Sequence, residues 1–375
     1  MSRKRIMPLN QTVSNRIAML RPMLIIGVVF VHLPGMADKS SELQFTMFNL
    51  FAGWLKNGLF RGSVPTMSLI AGYLLFSAGL DLAPLKLFRK KFTTLAVPFV
   101  LFNVLCLLFM AGVNDVMGMV YAGLQTLPGS TLGAAKMVFG FYGYPIDFPL
   151  HFVRDMMVTV LMVPLLSIAI RNFPWFGLAA LALFFGTNQD GIVIMRASSL
   201  LLFYIGGAAA VYKWDVLALD RYAKPCLAAF LLICACMVVL RIDDNTGLVM
   251  VAPFLIWPAV SLLKGSNFEA STLRLSKYSF FIFVAHAPLL LLTWWYVSHH
   301  ARWIPYPVYW LTAPLLVIAA LTRAYDFAAR VAPRALSVAL GSRVGRLGMV
   351  ERRGSPRPAN APVYSPSDRR AMLNT

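Results

Sequence analysis

The sequence predicts an all-α polytopic membrane protein of about ten transmembrane helices, with N- and C-termini cytoplasmic. Three observations predict it. Of 375 residues, 59% are hydrophobic and only 13% are charged, against about 45–50% apolar and about 25% charged in soluble globular chains. Apolar runs of the roughly 20 residues that a spanning helix needs recur ten times. The 34 basic residues, against 15 acidic ones, fall mainly in alternate loops. An ordinary soluble enzyme and a disordered chain are excluded by the composition. The net charge of +19 suggests nucleic-acid binding at first sight, but in so apolar a chain it reads as basic residues stacked on one side of a membrane.

The runs cover residues 16–35, 59–79, 95–113, 149–170, 173–190, 197–213, 224–240, 246–263, 278–297 and 307–326. The first carries Arg21 and His32 and leads into Leu33-Pro34-Gly35, which is no small-residue cleavage site, so it reads as a retained span. The second opens at Arg61 with Pro65, Ser68 and Gly72, the residues of an irregular helix start with a small face for close packing. The third follows the basic stretch Lys86, Arg89, Lys90 and Lys91. The fourth begins His151-Phe152-Val153-Arg154-Asp155. Thr187 to Asp190 and Arg196 interrupt the apolar stretch of the fifth and sixth. The seventh holds Cys226, Cys234 and Cys236, and the third holds Cys106. Cysteines inside apolar runs read as packing residues and suggest neither a disulfide framework nor a zinc site. The ninth carries Tyr278-Ser279 and His286-Ala287-Pro288, with His299 and His300 at its outer edge. No repeat relates the two halves, which weakens an inverted-repeat transporter fold.

With the N-terminus inside, 25 of the 34 basic residues lie on the cytoplasmic side, ten of them arginines between Arg323 and Arg370. Eight lie outside: Lys39, Lys56, Arg61, Lys136, Arg154, Arg196, Arg241 and Arg302. Arg21 lies within the first span. Three divisions follow: a cytoplasmic N-terminal segment, 1–15; a transmembrane domain, 16–330; and a basic, disordered cytoplasmic tail, 331–375. The tail's arginines suit anionic lipid at the cytoplasmic face, and nucleic acid is not an expected partner. The long outer connections 36–58 and 114–148 are aromatic and apolar enough to lie as interfacial or re-entrant segments.

An ionisable residue at membrane depth costs several kcal/mol and faces a protein cavity. Arg21 and His32 are eleven residues apart in one helix, about three turns and roughly 16 Å of rise, and share one face. Arg61, His151, Arg154, Asp155 and His286 complete the ionisable set, with Ser68 beside them on the small face of the second span. Asp155 is the one acidic residue well inside an expected span, and Arg154 is its natural counter-charge. Histidine suits proton abstraction from a hydroxyl at neutral pH, and arginine suits a phosphate or carboxylate. No phosphate loop, serine-nucleophile motif or His/carboxylate metal spacing is present in the sequence. This inventory fits a membrane transferase with an anionic activated donor and a hydroxyl acceptor, and it equally fits an anion transporter.

Five patches resemble the acyltransferase family 3 membrane O-acyltransferases. They are Arg21 through His32; Val64-Pro65 through Ala71-Gly72-Tyr73-Leu74-Leu75-Phe76; Arg89-Lys90-Lys91 through Val97-Pro98-Phe99; Phe152-Val153-Arg154-Asp155; and Tyr278-Ser279-Phe280 through Ala285-His286-Ala287-Pro288. Within the family the chain looks most like the rhizobial succinoglycan-type exopolysaccharide biosynthesis proteins, with Asn10 to Arg16 and Ser68 to Leu80 adding to the likeness. Met67-Ser68-Leu69-Ile70-Ala71-Gly72 departs from the Phe-rich pattern of many members. The resemblance implies ten or so spans in a bacterial inner membrane and transfer of a succinyl or acetyl group to a sugar hydroxyl. It implies no bound cofactor, a cytoplasmic acyl-CoA as co-substrate (succinyl-CoA or acetyl-CoA), and a lipid-linked or nascent polysaccharide as acceptor. The implied partners are membrane lipid, that acceptor and other polysaccharide-assembly proteins. His32 would act as general base and Arg21 would hold the donor. Arg61, Ser68, His151, Arg154, Asp155 and His286 would line or organise the cavity. The rival readings are a transporter or flippase for lipid-linked sugar or an organic anion, and a scaffold subunit of an assembly machine.

Overall fold

A computed structural model describes residues 10–34, 46–117, 130–141, 143–191 and 194–341. Lys39, the expected segment before residue 10, nearly all of the expected tail and parts of both long connections lie outside the described residues. Among the described residues every regular element is helical. The elements are α1 (Gln11–Val31), α2 (Met47–Ser77), α3 (Pro84–Val113), α4 (Thr131–Phe139), α5 (Phe148–Asn172), α6 (Pro174–Gly186), α7 (Ala197–Val211), α8 (Ala218–Val239), α9 (Thr246–Leu263), α10 (Asn267–Leu275), α11 (Ser279–His300), α12 (Tyr306–Val331) and α13 (Pro333–Ala339).

Eight of these, α1, α2, α3, α5, α8, α9, α11 and α12, are long and apolar enough to cross a membrane. The expected fifth and sixth spans are α6 and α7, of 13 and 15 residues. At 1.5 Å per residue these are about 20 and 22 Å long, short of the roughly 30 Å hydrocarbon layer. Their apolar composition has two origins. α6 exposes Trp175, Phe176 and Leu183, whereas α7 is buried on nearly every side from Ala197 to Ala209. A helix enclosed by protein is apolar all round just as one enclosed by lipid is.

Local signals start the helices where the polar residues fall. Asn10 caps α1 by accepting from Thr12 N–H at 2.9 Å. Ser266 caps α10 by accepting from Glu269 N–H, and the Glu269 carboxylate returns to Gly265 N–H at 2.6 Å, a variant of the capping box. α2 opens irregularly, as expected: a π-helical turn at Trp54–Gly58 passes to a 3-10 turn at Leu59–Gly62 before the α-helix from Ser63.

α1 is the most enclosed span and packs against α2, α10 and α11. Its N-terminal half is anchored by Arg16, buried and forked onto Asp220 at 2.7 and 2.5 Å, with its guanidinium 4.9 Å from the Trp257 ring. A second lock joins the turn after α2 to α5, where Asp81 accepts from Ser167 and Arg171 at 2.9 and 2.6 Å. The tightest seam lies between α2 and α7. A Cβ at Gly72 would collide with the Phe203 carbonyl, and one at Gly206 would collide with the Leu69 carbonyl. Small residues at reciprocal positions are what allow membrane-helix backbones to approach this closely.

The turn into α5 carries a buried acid. Asp147 is 2% exposed, and one of its carboxylate oxygens has no hydrogen-bond partner among the described residues. Burial pushes its carboxyl well above the usual carboxylate range. The folded state therefore keeps the proton while the unfolded chain releases it near pH 3.9, so stability is lost as pH rises from about 4 towards the raised value. Asp147→Asn is expected to raise Tm at neutral pH and to flatten the pH dependence of Tm above about pH 4. Thermal scans of both proteins in detergent across that range check it.

Candidate active site

His32 sits at the C-cap of α1, and its placement is a consequence of helix geometry. The buried residues Leu24, Ile25, Val28 and Val29 fix the helix against its neighbours, and the rotation per residue then aims position 32 at α11. There the His32 Nδ1 lies 3.1 Å from Nε2 of His286. The two rings are stacked with centroids 5.3 Å apart, and the Phe148 ring meets His32 edge-on at 4.7 Å. α11 runs on well past His286, which is fully buried, while His32 is half-buried.

The hydrogen bonds assign the tautomers. His286 is fully buried, and its Nδ1 faces the carbonyl oxygens of Phe283 at 2.9 Å and Ile282 at 3.2 Å. A carbonyl oxygen only accepts, so Nδ1 of His286 carries the proton and its Nε2 presents a lone pair. Nδ1–H of His32 therefore donates to that lone pair. Nε2 of His32 is left as the basic nitrogen, held in orientation by a chain that ends on backbone carbonyls. This is the arrangement of an oriented general base with a backbone-anchored imidazole behind it.

His151 stands close by on α5. Its Nδ1–H donates to the Phe148 carbonyl at 2.8 Å, and Tyr144 packs edge-on to its ring. The charges of Lys56 and Arg61 act on His32, together with His151. Arg61 belongs to the 3-10 turn of α2, which seats on α1 at Gly27, where a Cβ would strike Ser63 Oγ and the Phe60 ring. Its Nε is buried with no hydrogen-bond partner among the described residues.

Arg21 is a different kind of position. It is exposed, although the residues on both sides of it, Leu20 and Pro22, are buried and protein crowds its side chain. Pro22 cannot donate to the carbonyl of Ala18, which adds a free acceptor next to the guanidinium. No hydrogen bond or ion pair satisfies Arg21 among the described residues.

Asp155 has another occupation. Its two carboxylate oxygens accept from the backbone N–H groups of Met195 and Arg196 at 2.8 and 3.0 Å, just ahead of α7. Asp190 accepts from Ala197 N–H at 2.7 Å and pairs with the Arg196 guanidinium at 3.4 Å. Arg154 lies 3.7 Å from Asp155, and its Nη1 makes no hydrogen bond among the described residues. Ser68 is buried and spends its hydroxyl on the Val64 carbonyl at 3.1 Å, inside the packing seam.

The structure thus brings His32 and His286 together, with His151 and Arg61 beside them. It leaves Arg21 three turns away and gives Asp155 and Ser68 structural partners. Phe148, Lys56 and Arg196 join the neighbourhood without having been singled out in the sequence. The signal for Arg196, a lone arginine between two apolar helices, was present but read only as loop charge.

Comparison with known proteins bears on what this site does. Residues 15–328 match the acyltransferase domain family. The chain is 32% identical over 385 residues to the succinoglycan biosynthesis protein ExoH of Rhizobium meliloti (strain 1021), covering 96% of this chain and all of the relative. No solved structure matches the chain.

Proposed function

The chain belongs to the acyltransferase domain family, and from that premise we propose that it is an O-acyltransferase acting in exopolysaccharide biosynthesis. The acyl group is succinyl in the first instance and acetyl in the second. The donor is a cytoplasmic acyl-CoA, and the acceptor is a sugar hydroxyl of a lipid-linked or nascent polysaccharide. The protein crosses the bacterial inner membrane about ten times, α6 and α7 included, with both ends cytoplasmic; the distribution of basic residues supports this orientation.

The observation that carries the reading is the oriented base at His32. In the proposed step the acceptor hydroxyl oxygen attacks the thioester carbon while His32 Nε2 takes the hydroxyl proton. The C–S bond then breaks, and the same proton passes to the departing thiolate, leaving an ester and free CoA. Arg21, exposed and without a hydrogen-bond or ion-pair partner among the described residues, is suited to the donor's phosphates. The rise of about 16 Å between Arg21 and His32 is of the order of an extended pantetheine arm, which lets one donor touch both.

Mass analysis of surface polysaccharide tests the proposal against transport. Cells lacking the gene are expected to make polymer without the acyl substituent, and the intact gene restores it. Fully acylated polymer that fails to reach the surface would point to a transporter instead.

A further inference from the structure

Arg61 is a half-buried cation that pairs with no carboxylate among the described residues. The acids that flank Arg196 have other partners: Asp155 accepts from the backbone N–H groups of Met195 and Arg196, and Asp190 from Ala197 N–H and the Arg196 guanidinium. The charged group of α7's approach that acts on Arg61 is another cation, Arg196. An arginine whose Nε is buried without a hydrogen bond is costly unless something supplies the acceptor. A substrate anion would supply it.

The position of Arg61 says which end of the substrate carries that anion. Arg61 follows Phe60, whose ring lies 5.3 Å from that of Phe30, and so sits beside the end of α1 that carries His32, where the reacting carbonyl must come. The donor's phosphates belong at Arg21, about 16 Å down the helix. An anion beside His32 is therefore part of the acyl group. Guanidinium and carboxylate match as two parallel N–H···O bonds, and the planar fork is the feature that a lysine could not copy.

We infer that Arg61 is a specificity residue, which binds the distal carboxylate of a dicarboxylic acyl group and so selects a succinyl-type donor over acetyl. This rests on the acyl-transfer reading above. Arg196 raises the local positive charge while remaining tied to Asp190, and Arg154 stays with Asp155.

Membrane vesicles carrying the full chain test it, with labelled succinyl-CoA, labelled acetyl-CoA and the monomethyl ester of succinyl-CoA, whose distal group is neutral. Wild-type protein is expected to prefer succinyl over its methyl ester by about 10- to 100-fold in kcat/KM. Arg61→Gln is expected to lower the succinyl-to-acetyl ratio by the same factor, and Arg61→Lys to fall between. Equal transfer of succinyl and its methyl ester by the wild type overturns the inference without any variant, and so does an unchanged ratio in Arg61→Gln. A wild type that transfers acetyl alone overturns it too, while leaving acyl transfer standing. A wild type that transfers none of the three overturns the acyl-transfer reading itself.

Discussion

His32→Ala is expected to lower acyl transfer by about 10²- to 10⁴-fold, with the protein still folded and present in the membrane. The effect is large because the side chain supplies the basic nitrogen, and no other imidazole takes its place. His286 points its lone pair at His32 and is sealed by the Phe283 and Ile282 carbonyls. His151 is committed through Nδ1 to Phe148. The folded state loses little, because His32 is a helix-end residue whose ring is partly open. His286→Ala is expected to cost less in rate, since it frees the orientation and tautomer of His32 without removing the base. The check is label transfer from acyl-CoA in vesicles, normalised to protein content. Transfer by His32→Ala within a factor of a few of the wild type would remove His32 from the chemistry.

Gly206→Leu is expected to abolish accumulation of folded protein. A Cβ at Gly206 already meets the Leu69 carbonyl, and one at Gly72 meets the Phe203 carbonyl across the same seam. Overpacking a core by a few methylenes costs about 1–3 kcal/mol when side chains can shift. Here the obstacle is backbone, so α2 and α7 must separate along their length. The Arg61 turn and the Asp155 cap of α7 would move with them. Size-exclusion of a fluorescent fusion in detergent reads the outcome. A monodisperse peak at wild-type yield would show that the seam tolerates separation. Gly79, which adopts φ +61° with open space around it, should accept alanine with a far smaller loss.

Much of this was legible beforehand because membranes impose strong rules on sequence. Apolar length located α1, α5, α8, α9, α11 and α12 to within about six residues at each end, whereas α2 and α3 start well before the expected residues 59 and 95, at Met47 and Pro84, and Pro65 and Gly72 marked the irregular opening and close seam of α2. α6 and α7, expected as spans from hydropathy, are the two that are short as helices, at 13 and 15 residues. Hydropathy reports exclusion from water and does not distinguish lipid from protein as the excluding medium, and α7 is excluded by protein. The site was legible in part. Helical spacing put Arg21 and His32 on one face, but their contacts lie 254 residues away for the His32–His286 pair, and no local pattern encodes such a distance. Asp155 shows both sides of this. The ion pair that its neighbour Arg154 suggests is present at 3.7 Å, but the shorter bonds come from backbone N–H groups about 40 residues on, which sequence reading does not see.

The imidazole pair has a consequence for how turnover must be timed. In hydrolases with a histidine base, a carboxylate behind the ring steadies the imidazolium. Here the chain behind His32 ends on neutral carbonyls, and the formal charges acting on it, Lys56 and Arg61, are positive. In the proposed step, a proton taken up by His32 finds no carboxylate bonded to it among the described residues, and the oxyanion formed in the same event is the counter-charge the reaction itself supplies. If the proposed transfer holds, the proton must leave with the thiolate in the same turnover, so proton uptake and release at His32 are coupled to donor and acceptor being bound together.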